Sequence, residues 1–139
     1  MGQVSVKVSI PLAAEKVWQT LRDFGGVNRW VAGIAGLSLS GAGVGAVRTL
    51  TYKDGSQATE RLESLNDESR ILSYTILKST LPVEGYVASL TVKDLGPAGC
   101  EVEWFSTFGA KGATEKDVTR MLEVNYRKAL SGLQKFLKI

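Results

Sequence analysis

The sequence predicts an α+β domain in which a curved antiparallel sheet of seven strands wraps around one long C-terminal helix. Three observations carry that expectation. The first strand is followed by one or two short helices. A run of period-two segments joined by tight turns then extends from Leu37 to Phe108. After it, Thr114 to Leu137 returns to helical periodicity. Short turns between successive strands imply antiparallel pairing. One face of such a sheet needs an apolar cover, which the long helix can supply. A strongly curved sheet around a single helix tends to enclose a space.

Val4, Val6, Val8 and Ile10 alternate with Ser5, Lys7 and Ser9, the pattern of a half-buried strand that Pro11 ends. Ala13 to Phe24 reads as a helix with Val17, Leu21 and Phe24 on one stripe and Trp18 beside them. Gly25-Gly26 stops it, and Val27 to Val31 forms a further short turn that sets Trp30 against the core. Leu37 to Ser40 is a short strand, Gly41-Ala42-Gly43 a turn, and Val44 to Tyr52 a strand. The latter puts Val44, Ala46, Arg48, Leu50 and Tyr52 on one face. Lys53-Asp54-Gly55-Ser56 is a hairpin signal. Gln57 to Leu65 is the next strand, and Asn66 to Ser69 the next turn. Arg70 to Lys78 places Leu72, Tyr74 and Ile76 together. Thr80 to Gly85 reads as a loop, and Tyr86 to Asp94 aligns Tyr86, Ala88, Leu90 and Val92. Gly96 to Gly99 turns the chain into Glu101 to Phe108, with Val102, Trp104, Ser106 and Phe108 on one face. In the last helix Thr114 is the expected N-cap, and Val118, Leu122, Tyr126, Ala129, Leu130, Leu133 and Leu137 form the buried stripe.

The 139 residues suit a single domain, spanning 1–139. The net charge of +3 is dispersed, which argues against nucleic acid as a partner. Arg120, Arg127, Lys128, Lys135 and Lys138 are interleaved with Glu115, Asp117 and Glu123, the pattern of a solvated helix face. The chain has one cysteine, Cys100, and no histidine, which excludes an intrachain disulfide, a serine or cysteine nucleophile paired with histidine, and histidine-ligated zinc. No metal and no cofactor is expected. No apolar run is long enough to span a bilayer, so stable membrane insertion is not expected. The first residues run straight into strand-like sequence, without a charged segment and apolar stretch before it, so the cytoplasm is the expected compartment. A monomer or homodimer is expected. The glycines at 41, 43 and 45 read as a tight turn, because a phosphate loop needs a helix directly after them and a strand follows here.

Glu60 is the residue that breaks the pattern. Gln57, Thr59, Arg61 and Glu63 form the polar face of their strand, while Ala58, Glu60 and Leu62 form the core face. An inward carboxylate requires a partner or a wet cavity. Arg48 has inward parity on the preceding strand, at a similar distance from the hairpin, so the two are expected as cross-strand neighbours. Such a pair makes burial tolerable through charge-assisted hydrogen bonds. It is either a catalytic pair, with Glu60 moving a proton and Arg48 holding an oxyanion, or an internal ion pair that shapes a ligand pocket. Tyr52, Tyr74, Tyr86 and Tyr126 also point inward, more phenols than a dry core requires, which favours a partly polar cavity. Trp30, Trp104, Phe108 and Leu122 supply apolar wall or core. The loops Lys53–Ser56 and Thr80–Gly85 are expected at the cavity mouth, where an accessory partner protein would also make contact.

This element order resembles the helix-grip fold of the START/Bet v 1-like (SRPBCC) superfamily, and the residues are closest to its polyketide cyclase/dehydrase branch. The likeness rests on Val17-Trp18 and Leu21-Arg22-Asp23-Phe24 followed by Trp30, on Gly43-x-Gly45-x-Val47-Arg48, on Glu60-Arg61-Leu62 with Leu65-Asn66-Asp67, and on Leu72-Ser73-Tyr74 with Tyr86-x-Ala88-Ser89. The resemblance implies a binding protein for a small hydrophobic or amphipathic ligand of lipid, polyketide or aromatic type, held between sheet and C-terminal helix. As the second alternative it implies a cofactor-independent cyclase, dehydratase or isomerase using Glu60 as acid/base, with Arg48 stabilising an oxyanion. Among related plant proteins, Glu60 and Tyr86 match pocket residues of abscisic-acid receptors, and Ala88 stands where those carry a serine. Arg48 and Glu60 match the catalytic pair of the lachrymatory-factor synthase. The ligand-contacting set implied is Trp30, Tyr52, Glu60, Tyr74, Tyr86, Ala88, Trp104, Phe108, Leu122 and Tyr126.

Overall fold

The computed structural model describes residues 1–139. Seven strands form one antiparallel sheet: β1 Gly2–Ile10, β2 Ile34–Ser40, β3 Val47–Tyr52, β4 Gln57–Asn66, β5 Ile71–Ser79, β6 Val83–Asp94 and β7 Cys100–Ala110. Their order is β1-β7-β6-β5-β4-β3-β2, so only the first strand is displaced from sequence order. Helix α1 spans Ala14–Leu21, a 3-10 segment spans Phe24–Arg29, and α2 spans Glu115–Phe136. This is the helix-grip arrangement expected from the sequence.

The alternation read from the sequence survives as burial. In β1, Val4, Val6 and Ile10 are buried and Val8 is half-buried, while Gln3, Ser5, Lys7 and Ser9 are exposed. In β7 every second residue from Cys100 to Phe108 is buried. The stripe of α2 is buried at Val118, Leu122, Tyr126, Ala129, Leu130 and Leu133, and α2 packs on β1 and β7. Thr114 caps that helix, its Oγ1 accepting from the Asp117 amide at 3.1 Å. The basic residues of α2 and the C-terminus are exposed, as a solvated face requires.

Several boundaries differ from expectation, each for a local reason. Helix α1 ends at Leu21, three residues early, because Gly25 and Gly26 draw the chain into the 3-10 segment. The α1 end is instead clamped from outside. Asp67, in the β4–β5 turn, accepts from Trp18 Nε1 at 2.8 Å and from Arg22 Nε at 2.7 Å. Those two donors hold the Asp67 carboxyl below the usual carboxylate range, Arg22 contributing most. Val44 is exposed rather than inward: Gly41, Gly43 and Gly45 all have positive φ, so the glycine run is turn and β3 starts only at Val47. Strand β2 begins three residues earlier than expected, as the Lys53 amide bonds to the Gly33 carbonyl at 2.9 Å. Strand β6 begins at Val83. Gly85, with a φ of 58°, absorbs a bulge opposite β7 and lets pairing continue through a stretch that reads as loop.

The contact that seats α2 uses Gly132. A Cβ built there would collide with the Trp30 carbonyl oxygen, so the helix lies directly against the backbone that follows the 3-10 segment. A free helical glycine would gain about 1 kcal/mol on replacement by alanine. Gly132→Ala is expected to do the opposite and cost about 1–3 kcal/mol in urea unfolding, since the added methyl overpacks the contact. A stabilised variant would show that α2 does not sit on Trp30.

Candidate ligand cavity

Arg48 and Glu60 are paired residues of β3 and β4, as the hairpin count predicts. Both are buried, at 6% and 5% exposure. Arg48 Nε donates to one carboxylate oxygen, Glu60 Oε1, at 2.8 Å, and Nη2 makes an ion-pair contact with the same oxygen at 2.7 Å. Its Nη1 donates to the Phe24 carbonyl at 2.9 Å. The guanidinium also lies 3.8 Å from the Phe24 ring centroid and 5.2 Å from that of Tyr74. Each Arg48 nitrogen therefore lies against a protein oxygen, two of them through hydrogen bonds, and aromatic faces cover the cation. Glu60 Oε2 has no hydrogen-bond partner. It is not among the sealed side-chain atoms, and Glu60 lines the cavity described below. A register shift in the β4–β5 pairing falls at Thr59/Glu60, a bulge of the kind that re-aims a side chain.

The cavity lies between α2 and strands β3 to β7 and has a volume of about 600 Å³. That is within the range of small-molecule sites. Of its 23 lining residues 15 are hydrophobic. Leu50, Ile76, Trp104, Leu122 and Ala129 are among the apolar wall, and Val27, Val31 and Ile34 close it on the side of the 3-10 segment. Ala32 and Gly33, Lys53, Asp54 and Ser56 of the β3–β4 hairpin, Leu81, and Met121, Asn125 and Lys128 of α2 also line it. Both loops expected at the mouth thus contribute to it. By contrast, the shallow groove along Glu115, Lys116, Thr119, Arg120 and Glu123 has no hydrophobic residue and only mixed charge.

Inside the cavity the phenols form a chain. Trp104 Nε1 donates to Tyr74 Oη at 3.1 Å, Tyr74 Oη meets Tyr86 Oη at 3.3 Å, and Tyr86 Oη meets Tyr126 Oη. Tyr126 Oη donates to Ser106 Oγ at 2.9 Å. Trp104 stacks on Tyr126, with centroids 4.3 Å apart and planes at 8°. Tyr52 lines the same cavity without a hydrogen bond to the protein. Desolvation by burial, the largest cause for each, pushes all four phenols up. Tyr126 reaches about 12, and the nearby Glu60 charge adds to the shifts of Tyr52 and Tyr74.

Of the residues singled out in the sequence, Arg48, Tyr52, Glu60, Tyr74, Tyr86, Trp104, Leu122 and Tyr126 share this cavity. Trp30, Ala88 and Phe108 are buried but outside its lining. Trp30 packs edge-on against Trp104 at 6.1 Å, a layer behind the wall, and its Nε1 is sealed without a partner. Phe108 fills the space left by Gly2, where a Cβ would approach its ring at 2.5 Å. Ala88 pairs with Tyr74 and Ser106 in the sheet, too short to reach past the neighbouring phenols. Met121, Asn125 and Lys128 were not singled out. Their helical spacing from one another, four and then three residues, is the one signal that groups them in a row on α2. Nothing in the sequence marks the Phe24 carbonyl.

The sequence model of the family described as "Polyketide cyclase / dehydrase and lipid transport" matches residues 1–137. The fold is similar to that of XoxI from Bacillus cereus, with 29% identity, a TM-score of 0.91, and coverage of 99% of this chain and 97% of that one. It is similar to an uncharacterised Bacillus thuringiensis protein, with 29% identity, a TM-score of 0.90, and coverage of 99% and 100%. The Zhui aromatase/cyclase of Streptomyces sp. R1128 shares the fold at 17% identity and a TM-score of 0.77, with 97% and 90% covered.

The raised phenols have a consequence for alkaline stability. An unfolded tyrosine ionises near pH 10, and all four tyrosines of the chain resist ionisation in the fold. Their contribution is fully present below pH 10. Above it the unfolded chain sheds protons that the folded one keeps, so stability falls as pH rises, by up to about 1.4 kcal/mol per pH unit for each tyrosine. Near-ultraviolet absorbance should show no tyrosinate near pH 10, then a cooperative rise with unfolding at higher pH. A tyrosine titrating normally in the folded protein would show that its phenol is not buried.

Proposed function

The chain belongs to the polyketide cyclase/dehydrase and lipid transport family, and from that premise we propose that it holds one small hydrophobic or amphipathic organic ligand between sheet and α2. The observation that carries this reading is the cavity of about 600 Å³, whose wall is mainly apolar. A solid core would not leave that space, because interiors pack to crystal-like density. On this reading the ligand's apolar body is driven in by desolvation. No helix is long and apolar enough to cross a membrane, and the reading assigns the protein to the cytoplasm as a monomer or homodimer.

Ala129 lines the cavity and is buried at 6% exposure. Ala129→Phe should fill the space with the fold intact. The probe 1-aminoanthracene should brighten and shift to the blue with the parent protein, and bind at least about tenfold more weakly to the variant. Equal binding by both, with native circular dichroism, would place the probe elsewhere and sink the reading.

One observation favours a second reading, in which the cavity is also a reaction site: Glu60 Oε2 is a carboxylate oxygen without a protein partner, at the cavity. It could take a proton from a substrate carbon and return it to a departing hydroxyl, which leaves as water. Arg48 then acts as a positioning residue, holding Glu60 through Oε1 so that Oε2 stays free. Glu60→Gln keeps an acceptor for Arg48 and removes the base. With a linear polyketide supplied, the parent should give dehydrated or cyclised product by mass spectrometry and the variant none, while 1-aminoanthracene binding persists. Equal product from both would remove the catalytic role.

A further inference from the structure

The direction of the hydrogen bonds around the cavity restricts the chemistry of the ligand. A phenol has one proton to donate. Tyr126 gives its proton to Ser106, so in the bond between Tyr86 and Tyr126 the donor is Tyr86. Tyr86 has then spent its proton, so Tyr74 is the donor to Tyr86. Trp104 Nε1–H, which can only donate, is spent on Tyr74. The chain runs one way, from Trp104 through three tyrosines to Ser106; no tyrosine or tryptophan proton in it remains for a ligand, and Ser106 itself is fully buried outside the cavity lining. Arg48 is likewise engaged by Glu60 and the Phe24 carbonyl and covered by two rings. Besides the exposed Lys53, Asn125 and Lys128, two groups of the lining are left unpaired. Glu60 Oε2 is an acceptor on a residue 5% exposed, and the Tyr52 hydroxyl is a donor.

We propose that this part of the cavity is a hydroxyl-recognition subsite, which takes a neutral ligand bearing an alcohol or phenol. The proposal rests on the ligand-binding reading above and narrows its substrate class. A hydroxyl is both donor and acceptor, so it can donate to Glu60 Oε2 and accept from Tyr52. A methyl ether or a ketone offers no proton and leaves Glu60 Oε2 desolvated without a partner. A carboxylate fares worse, since it places a second negative charge against Glu60. Sites built to bond a hydroxyl reject analogues that lack it, because their own buried polar groups are left unpaired.

Three probes of one skeleton test this: 2-naphthol, 2-methoxynaphthalene and 2-naphthoate, titrated at neutral pH and followed by amide shifts in nuclear magnetic resonance. The naphthol should bind at least about tenfold more tightly than either of the others. If the ether or the naphthoate binds as well as the naphthol, the hydroxyl subsite is overturned while the cavity reading stands. If none of the three binds, both fall together. Tyr86→Phe supplies an independent arm. It removes the acceptor for the Tyr74 proton, which becomes free to donate to a ligand, so the preference for naphthol over its ether should shrink several-fold. An unchanged preference would overturn the one-way chain as its cause.

Discussion

Much of this molecule depends on one buried ion pair. Arg48 and Glu60 face each other across the β3–β4 hairpin, and the same guanidinium reaches over to the carbonyl of Phe24. Three separate segments are thereby tied at one point: two strands and the 3-10 segment that closes one side of the cavity. The charges cannot be separated cheaply. Removing one partner of a buried pair typically costs about 3–5 kcal/mol, because the other is left uncompensated. A pair of well-packed apolar residues could hold the same elements together. What it could not do is leave a carboxylate oxygen free beside an apolar cavity.

That asymmetry links stability to function. Both contacts from Arg48 to Glu60 fall on Oε1, so the ion pair satisfies half of the carboxylate and leaves the other half for whatever enters. The tyrosine chain works in the opposite sense. Its members satisfy each other and end on Ser106, so three hydroxyls that look available on a list of polar residues are occupied with one another. The cavity is consequently more selective than its composition suggests. Apart from the exposed Lys53, Asn125 and Lys128, it has an apolar wall, one unpaired acceptor and one unpaired donor.

The dry and hollow parts of the interior are held by different means. Around α1 the side chains of Val17, Trp18 and Leu21 are fully packed, and Asp67 secures the helix end from the β4–β5 turn. Around the cavity, close backbone approach does the holding: α2 rests on the Trp30 carbonyl at Gly132, and Trp30 supports Trp104 from behind. A rigid second layer is what keeps an unfilled space from collapsing under the drive to bury its walls.

Periodicity in the sequence was enough to determine the order of strands and helices, the inward face of each, and the cross-strand meeting of Arg48 with Glu60. These are local properties: side chains alternate on a strand and recur on a helix whatever lies opposite, and a hairpin counts its own pairs. Glycine turns were legible as turns, but their positive φ decided where β3 and β6 begin, and that depended on strand partners distant in sequence. The tertiary structure alone decided which inward residues meet open space. Trp30, Ala88 and Phe108 share inward parity with Tyr52 and Trp104 yet lie outside the cavity, because depth beneath a curved sheet is set by its curvature and by the seat of α2. Donor and acceptor directions, and the role of the Phe24 carbonyl, were equally beyond the sequence. A hydrogen bond has a direction only when both of its ends, and the next bond along, are in place.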